Sequence, residues 1–327
     1  MQTRSHLIDN PDLRRDRAVG SLVGLAIGDA LGDAARTADN HFMFGITMDF
    51  PPGNAGSTDD TEFALLTAHT LIASEGELSD EHVLAAWREH VLVQDSFPRG
   101  GASEREAALN LRRGLLPPET GRFNSHYMSD GAAMRTGPIG VLCAGDPERA
   151  RRLAEIDARI SHWRDGIWGA QAVAAAVAVA MVGGTVDEIV AAAVESAPSD
   201  SWLAHTLRAG LAVVDEVGDL ETAWMPLHHA LVTEYKSVVP EAVSEALCIF
   251  KLTGGDFRRG IIYGSNWGRD SDTVAAVIGA ISGAMCGLSG IPTEWAERCR
   301  YPSGTCLAFA KGLDIYDIGE TLANLIR

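Results

Sequence analysis

The sequence predicts an all-α protein, a single compact multi-helix domain. Three observations predict it: apolar residues recur at helical spacing along most of the 327 residues, alternating strand-like stretches are scarce, and the connections are short. The first helix, over 17–31, carries Gly20, Gly24, Gly28 and Gly32 at a spacing of four, which puts them on one face. The second, over 61–74, leaves the polar run Ser57-Thr58-Asp59-Asp60-Thr61-Glu62. Periodicity then gives helices over 80–90, 103–113 and 147–160, and an alanine-rich one over 167–181 closed by the turn Gly183-Gly184. Four more cover 185–196, 202–214, 222–231 and 241–252. The last, over 273–286, follows Asp270-Ser271-Asp272-Thr273 and repeats the glycine spacing at Gly279, Gly283 and Gly287. The nearest approach to a strand is 42–48, and Pro51-Pro52-Gly53-Asn54 carries turn chemistry. An interior helical glycine costs roughly 1 kcal/mol, so something should offset two such stripes. They are expected to be central helices packed backbone to backbone. Membrane dimerisation through the same spacing is disfavoured by Asp29 and Asp33 within the first stripe.

Composition narrows the function. With 46% hydrophobic and 22% charged residues the chain can bury a sizeable core. Its 27 basic against 44 acidic residues give a net charge of −17, which argues against a nucleic-acid groove. No low-complexity linker or fixed repeat divides it, so residues 17–327 are expected to form one domain behind a polar leader, 1–16. Cys143, Cys248, Cys286, Cys299 and Cys306 form no CxxC pair and read as free, buried thiols of a reducing compartment. The start, MQTRSHLIDNPDLRRDR, is polar throughout, and the longest apolar stretch, 172–183, is too short to span a bilayer. A cytoplasmic protein without a membrane partner is expected.

Each acidic cluster taken alone reads as a capped helix start, with the acids complementing the dipole. Together they read differently. Each precedes an apolar helix, so both starts lie near the core, and four carboxylates converging there need cations. Oxygen donors suit a hard ion such as Mg²⁺, and no Cys/His set points to zinc. The pairing favours a two-metal site held by Thr58, Asp59 and Asp60 with Asp270, Asp272 and Thr273. A third stretch, Gly131-Ala132-Ala133-Met134-Arg135-Thr136-Gly137-Pro138, is either an ordinary glycine-rich turn or a helix start offering amides to phosphate. His162 is a substrate contact or acid–base group, or a satisfied histidine; Trp163 stacks on a base or serves packing.

These residues resemble the ADP-ribosylglycohydrolases, which include the dinitrogenase-reductase-activating enzymes. The resemblance runs from about Arg17 to Trp295. It rests on Gly24-Leu25-Ala26-Ile27-Gly28-Asp29-Ala30-Leu31-Gly32, Ser57-Thr58-Asp59-Asp60-Thr61, Gly131-Ala132-Ala133-Met134-Arg135, Arg159-Ile160-Ser161-His162 and Asn266-Trp267-Gly268-Arg269-Asp270-Ser271-Asp272-Thr273. It implies an all-α fold, a binuclear Mg²⁺ or Mn²⁺ site on the six residues named, and cleavage of the glycosidic bond joining ADP-ribose to a protein side chain. Asp59 or Asp60 would orient or deprotonate the attacking water. Ser129, Asp130, Gly131 and Met134 would lie along the diphosphate and distal ribose, with His162 nearby. Many relatives carry a glutamate at the bond being cut where this chain has Arg36, with Asp33 or Asp39 as substitutes, and a Gly-Gly pair is usual where Gly268-Arg269 stands. The first departure favours the arginine-linked over the serine-linked substrate. The resemblance also allows an immunity or antitoxin role, in which the chain binds a cognate ADP-ribosyltransferase and the leader serves as a contact arm. The likeness of Asp270-Ser271-Asp272-Thr273-Val274 to the haloacid-dehalogenase nucleophile motif is set aside, because no buried strand precedes it.

Overall fold

The structure is a computed structural model describing residues 4–52 and 56–327. Among them eighteen α-helical segments follow one another without a strand; the one sheet-like feature is an isolated bridge between Ser129 and Val238. At the centre the Pro11–Ala35 and Ser271–Cys286 helices run antiparallel, Gly20 facing Gly283, Gly24 facing Gly279, Gly28 facing Ala275 and Gly32 facing Ser271. A Cβ on Gly28 would lie 2.1 Å from the Ala275 carbonyl oxygen, and one on Gly24 2.2 Å from that of Gly279. The two glycine stripes therefore let backbone meet backbone, with Ser21 Oγ donating across the seam to the Ala280 carbonyl at 2.9 Å. Gly287 differs from its stripe: at φ 71° it ends its helix beside Asp16.

All eleven helices expected from periodicity are present, with shifted ends. The first begins at Pro11, capped by Asn10, so residues 11–16 share its backbone. Ahead of it Arg4–Ile8 is helical and docks through Leu7, fully buried, while residues 1–3 lie outside the described residues. The stretch 80–90 is an α-helix, Asp80–Ala86, followed by a π turn, Trp87–Val91. The strand at 42–48 is corrected: Ala38–Phe44 is helical and bends follow, with Ile46 and Met48 exposed and no partner strand to pair with. Of the turn at Pro51–Asn54, Gly53 and Asn54 lie outside the described residues. Periodicity missed Phe257–Asn266 and Ile315–Asn324 among longer helices; the first buries a face made partly of Gly260 and Gly264, which carries little apolar signal.

Among the described residues one helix, Pro11–Ala35, is long and apolar enough to cross a membrane, longer than the 172–183 stretch, and its apolar window is wholly buried in the protein. All five cysteines are free; four are buried and Cys286 is half-buried, not buried as expected. Burial pushes the Cys143 thiol up to about 12 and Cys286 to about 11, so they stay protonated at neutral pH.

Candidate active site and cation centre

The antiparallel seam sets the site. It brings the C-terminal end of one glycine-striped helix, with Asp29, Asp33 and Arg36, against the N-terminus of the other, with Asp270, Asp272 and Thr273. The Asp59–Ala73 helix brings its own N-terminus to the same place, so two positive helix ends face the carboxylates. A cavity of about 360 Å³ opens there, within the range of a small-ligand pocket. Asp59, Asp60, Asp270, Asp272 and Thr273 line its floor, Ser129, Asp130, Gly131 and Met134 one wall, and Arg36, Arg99 and Lys236 stand among its other lining residues.

Thr58 does cap its helix, accepting from the Asp60 amide at 3.3 Å, but its hydroxyl donates to Asp29 Oδ1 at 2.6 Å. Asp29, fully buried, also accepts from the Thr58 amide at 2.9 Å and from the Thr61 hydroxyl at 2.5 Å. It ties the first cluster to the central helix. Asp270 makes no capping bond; its carboxylate turns to Lys236 Nζ at 2.7 Å. The capping account thus holds for the first cluster and not for the second. Carboxylate oxygens of Asp29, Asp60 and Asp272 lie within 4.8 Å of one another. Asp60 Oδ1 and Asp272 Oδ1 are buried without any hydrogen-bond partner. Burial raises Asp60 well above the ordinary carboxylate range, with Asp272, Asp29 and Asp59 adding to it. Asp272 is pushed up to about 7 by burial and by Asp270, against the pull of Arg36. Burial works the same way on Asp270, but Lys236 and Arg36 outweigh it and hold that carboxyl low. Two bare buried oxygens in an all-oxygen donor set fit a hard divalent cation.

The glycine-rich wall rests on a buried polar ring. Arg135 Nη2 donates to Ser161 Oγ at 3.0 Å, which is 2.7 Å from His162 Nδ1; His162 Nε2 is 2.9 Å from Ser129 Oγ. Ser129 donates to Ser103 at 2.8 Å, Ser103 to Glu104 at 2.7 Å, and Glu104 returns to Arg135 at 3.4 Å. Since Ser129 spends its proton on Ser103, His162 must donate from Nε2 and accept at Nδ1. Burial and the Arg135 charge hold His162 well below its usual pKa, so it is neutral. His162 does not line the cavity; it stands one side chain behind Ser129. Trp163 lies in a separate small cavity with Trp168, and its ring meets Arg122. Within Gly131–Pro138 the amides of Met134, Arg135 and Thr136 are spent on the carbonyls of Asp130, Ala132 and Ala133, and Gly131 and Met134 are the residues of the stretch that line the cavity.

Three site residues carried no weight in the sequence reading. Asp29 was visible as a charge within an otherwise apolar, glycine-striped helix. Glu104 stands at the head of an apolar stripe, Ala107, Ala108 and Leu111, where a solvated acid would not be expected. It presses against Gly131, where a Cβ would lie 2.2 Å from its Oε1. Lys236 left no local signal, since it reaches Asp270 across 34 positions.

Known proteins share this fold. The profile of the family described as ADP-ribosylglycohydrolase matches residues 10–326. A protein of Archaeoglobus fulgidus, described only as uncharacterized, is 32% identical over 86% of this chain and 88% of its own. The ADP-ribosylarginine hydrolase Tri1 of Pseudomonas putida is 25% identical over 88% of this chain and 75% of its own. Human ADP-ribosylhydrolase ARH3 is 25% identical over 76% and 78%. The solved structure of an ADP-ribosylglycohydrolase-related protein complex superposes with a TM-score of 0.66 at 25% identity, covering 97% of this chain and all of that one. A helical fold with carboxylate-bearing helix ends at one cavity, matched over nearly its whole length, leads to one conclusion: the chain belongs to the ADP-ribosylglycohydrolase family, which hydrolyses ADP-ribose linkages.

Proposed function

We propose that the chain releases ADP-ribose from modified arginine side chains, using two divalent cations, Mg²⁺ or Mn²⁺, held by Asp60, Asp270, Asp272, Thr273, Thr58 and Asp59, with Asp29 behind them. The observation that carries the arginine reading is Arg36. Its guanidinium, beside the cavity, pairs with Asp272 and lies 3.0 Å from Asp33 Oδ1 and 3.6 Å from Asp270 Oδ1. Burial works against its charge, but these acids hold its pKa above the ordinary arginine value. It cannot donate a proton. Asp33 pairs with Arg36 and Arg99 and does not line the cavity; Asp39 is exposed. A serine O-glycoside expels an alkoxide and needs a proton donor, worth about 10²–10⁴ in rate. An arginine N-glycoside departs as guanidine and depends on one far less. The name of the Pseudomonas relative supports the same branch.

Bound cations would offset the carboxylates and polarise the ribose hydroxyls and the attacking water. Asp59, half-buried at the cavity, orients that water and takes its proton; burial, Glu104 and Asp272 raise its basicity. The wall of Ser129, Asp130, Gly131 and Met134 receives the diphosphate and distal ribose. His162 keeps the Ser129 hydroxyl in place. Free, mostly buried thiols support a cytoplasmic setting. Matched arginine- and serine-ADP-ribosylated peptides test the reading. Release from arginine should be at least about a hundredfold faster and should vanish on chelation; comparable turnover of both peptides refutes the arginine assignment, and full activity in excess chelator refutes the cations.

A further inference from the structure

Arg36 does more than replace an acid. We propose that its guanidinium is a resident counter-ion filling one of the two cation positions, so that a second divalent ion enters only by displacing it and the site loads stepwise. This rests on the two-cation reading above. The carboxylates are divided unequally. Asp270 and Asp272 already have two protein cations between them, Lys236 on Asp270 and Arg36 on Asp272, and are neutral without any ion. Asp29 and Asp60, and with them Asp59 and Asp130, have no cationic partner at ion-pair distance among the described residues. Asp272 is itself split: Oδ2 faces Arg36, whereas Oδ1 is bare and buried. Asp60 is barer still: the Thr58 hydroxyl 3.2 Å from its Oδ2 spends its proton on Asp29, and its Oδ1 has no partner. One position thus offers uncompensated oxygens near Asp29, and the other is already compensated.

A guanidinium has no lone pair to give a metal and does not lose its proton, so it cannot become a ligand; it has to move. Its surroundings permit that. Arg36 is partly exposed at the cavity, and Asp33 would keep one ion pair with it after it leaves Asp272. One divalent ion offsets Asp29 and Asp60, and Asp59 and Asp130 on the cavity draw further cation charge. A second ion placed on Asp270 and Asp272, however, adds charge to a pair already matched by Lys236 and Arg36 unless Arg36 withdraws, and that local opposition weakens its binding.

The test is Mn²⁺ titration of the metal-free full chain, followed by calorimetry and by the electron paramagnetic resonance of free Mn²⁺. The native chain should bind one ion tightly and a second at least about tenfold more weakly. Arg36→Gln should tighten the second ion by about tenfold or more and the first by less, so that the two steps draw together, whereas Arg36→Lys keeps the two steps apart because a cation remains. Should Arg36→Gln lose its helical circular dichroism, the native chain still decides: the larger shift of the Arg36 Nε–H resonance should come with the second equivalent of Mg²⁺, when the guanidinium leaves Asp272. Two equal sites in the native chain, identical titrations of a folded Arg36→Gln, or a resonance whose larger shift comes with the first ion each overturn the proposal. A chain that binds no divalent ion overturns the two-cation reading as well, whereas identical titrations beside Mn²⁺-dependent hydrolysis overturn the displacement alone.

Discussion

Arg269 sits at φ 59°, a conformation that costs a non-glycine residue about 1 kcal/mol, immediately before Asp270, the proposed ligand. The usual glycine is easily rationalised there; what holds an arginine is a pair with the fully buried Glu241, whose Oε2 also accepts from Thr233 at 2.7 Å. Arg269→Gly should therefore destabilise the chain by about 2 kcal/mol or more despite relaxing the backbone, because a buried carboxylate loses its partner; denaturant melts will read it. Asp272→Ala should abolish most hydrolysis while leaving helical circular dichroism intact, since its Oδ1 is bare and its one partner, Arg36, keeps Asp33 and Asp270. Glu245 supplies a pH signature. Burial pushes it up to about 8, Glu241 adding and Trp267 and Arg269 opposing, from an ordinary 4.5. A raised carboxyl favours the folded state below its unfolded pKa, and that benefit is lost as pH rises from about 4.5 to 8, amounting to a few kcal/mol at most. Glu245→Gln should flatten this slope and melt above the native chain at pH 8. At this scale the sequence told much, but unevenly. Both acidic clusters were readable because each marks a helix start. Asp29, Glu104 and Lys236 were not, because each gains meaning only from a neighbour distant in sequence.

Helix existence was legible wherever large apolar residues recur, and poorly where glycine makes the contact, as at Gly260 and Gly264. The glycine stripes were the exception, since spacing of four identifies a face without any side chain. They yield a paired prediction. Gly28→Ala places a methyl against the Ala275 backbone and should cost about 3 kcal/mol or more, with no flexible side chain to yield. Gly218→Ala, at φ 76° with open space around it, should cost only about 1 kcal/mol, all of it conformational. The leader belongs to the same scale. Leu7 is buried and Arg4 donates to the Ala144 carbonyl at 2.7 Å, whereas Ser5 and Asp9 face solvent. A transferase contact would use that exposed side. Replacing Ser5 and Asp9 together should weaken such binding without touching hydrolysis, and deleting residues 1–9 should lower the melting temperature as well; an unchanged dissociation constant for the double substitution removes the contact arm.

For the whole molecule, cation binding and folding are one equilibrium. The metal-free fold holds Asp60 and Asp130 buried and Asp59 half-buried at one cavity, each with its pKa raised well above the ordinary value by burial and by other acids. An ion that binds only the folded chain stabilises it by about 2.7 kcal/mol at a hundred times its dissociation constant. Thermal melts should rise by several degrees with Mn²⁺ and fall back with chelator. A melting temperature indifferent to both would mean that the acids are neutralised by protons alone. The net charge of −17 works in the same direction, since it concentrates cations around the chain.

The glycine seam also makes the site a gauge. Where the glycines meet there is no side chain to compress, so the separation of Asp29 from Asp272 is set largely by one backbone resting on another. Jaws that cannot open measure what they hold. An ion wanting oxygens at 2.0–2.1 Å suits a fixed gap, whereas Ca²⁺, which wants 2.3–2.6 Å and more ligands, would have to wedge the helices apart. Selection by ionic radius would then be a property of the seam rather than of the ligands, and thinning it elsewhere, for instance with Ser21→Ala, should relax the preference for small ions while every carboxylate stays in place.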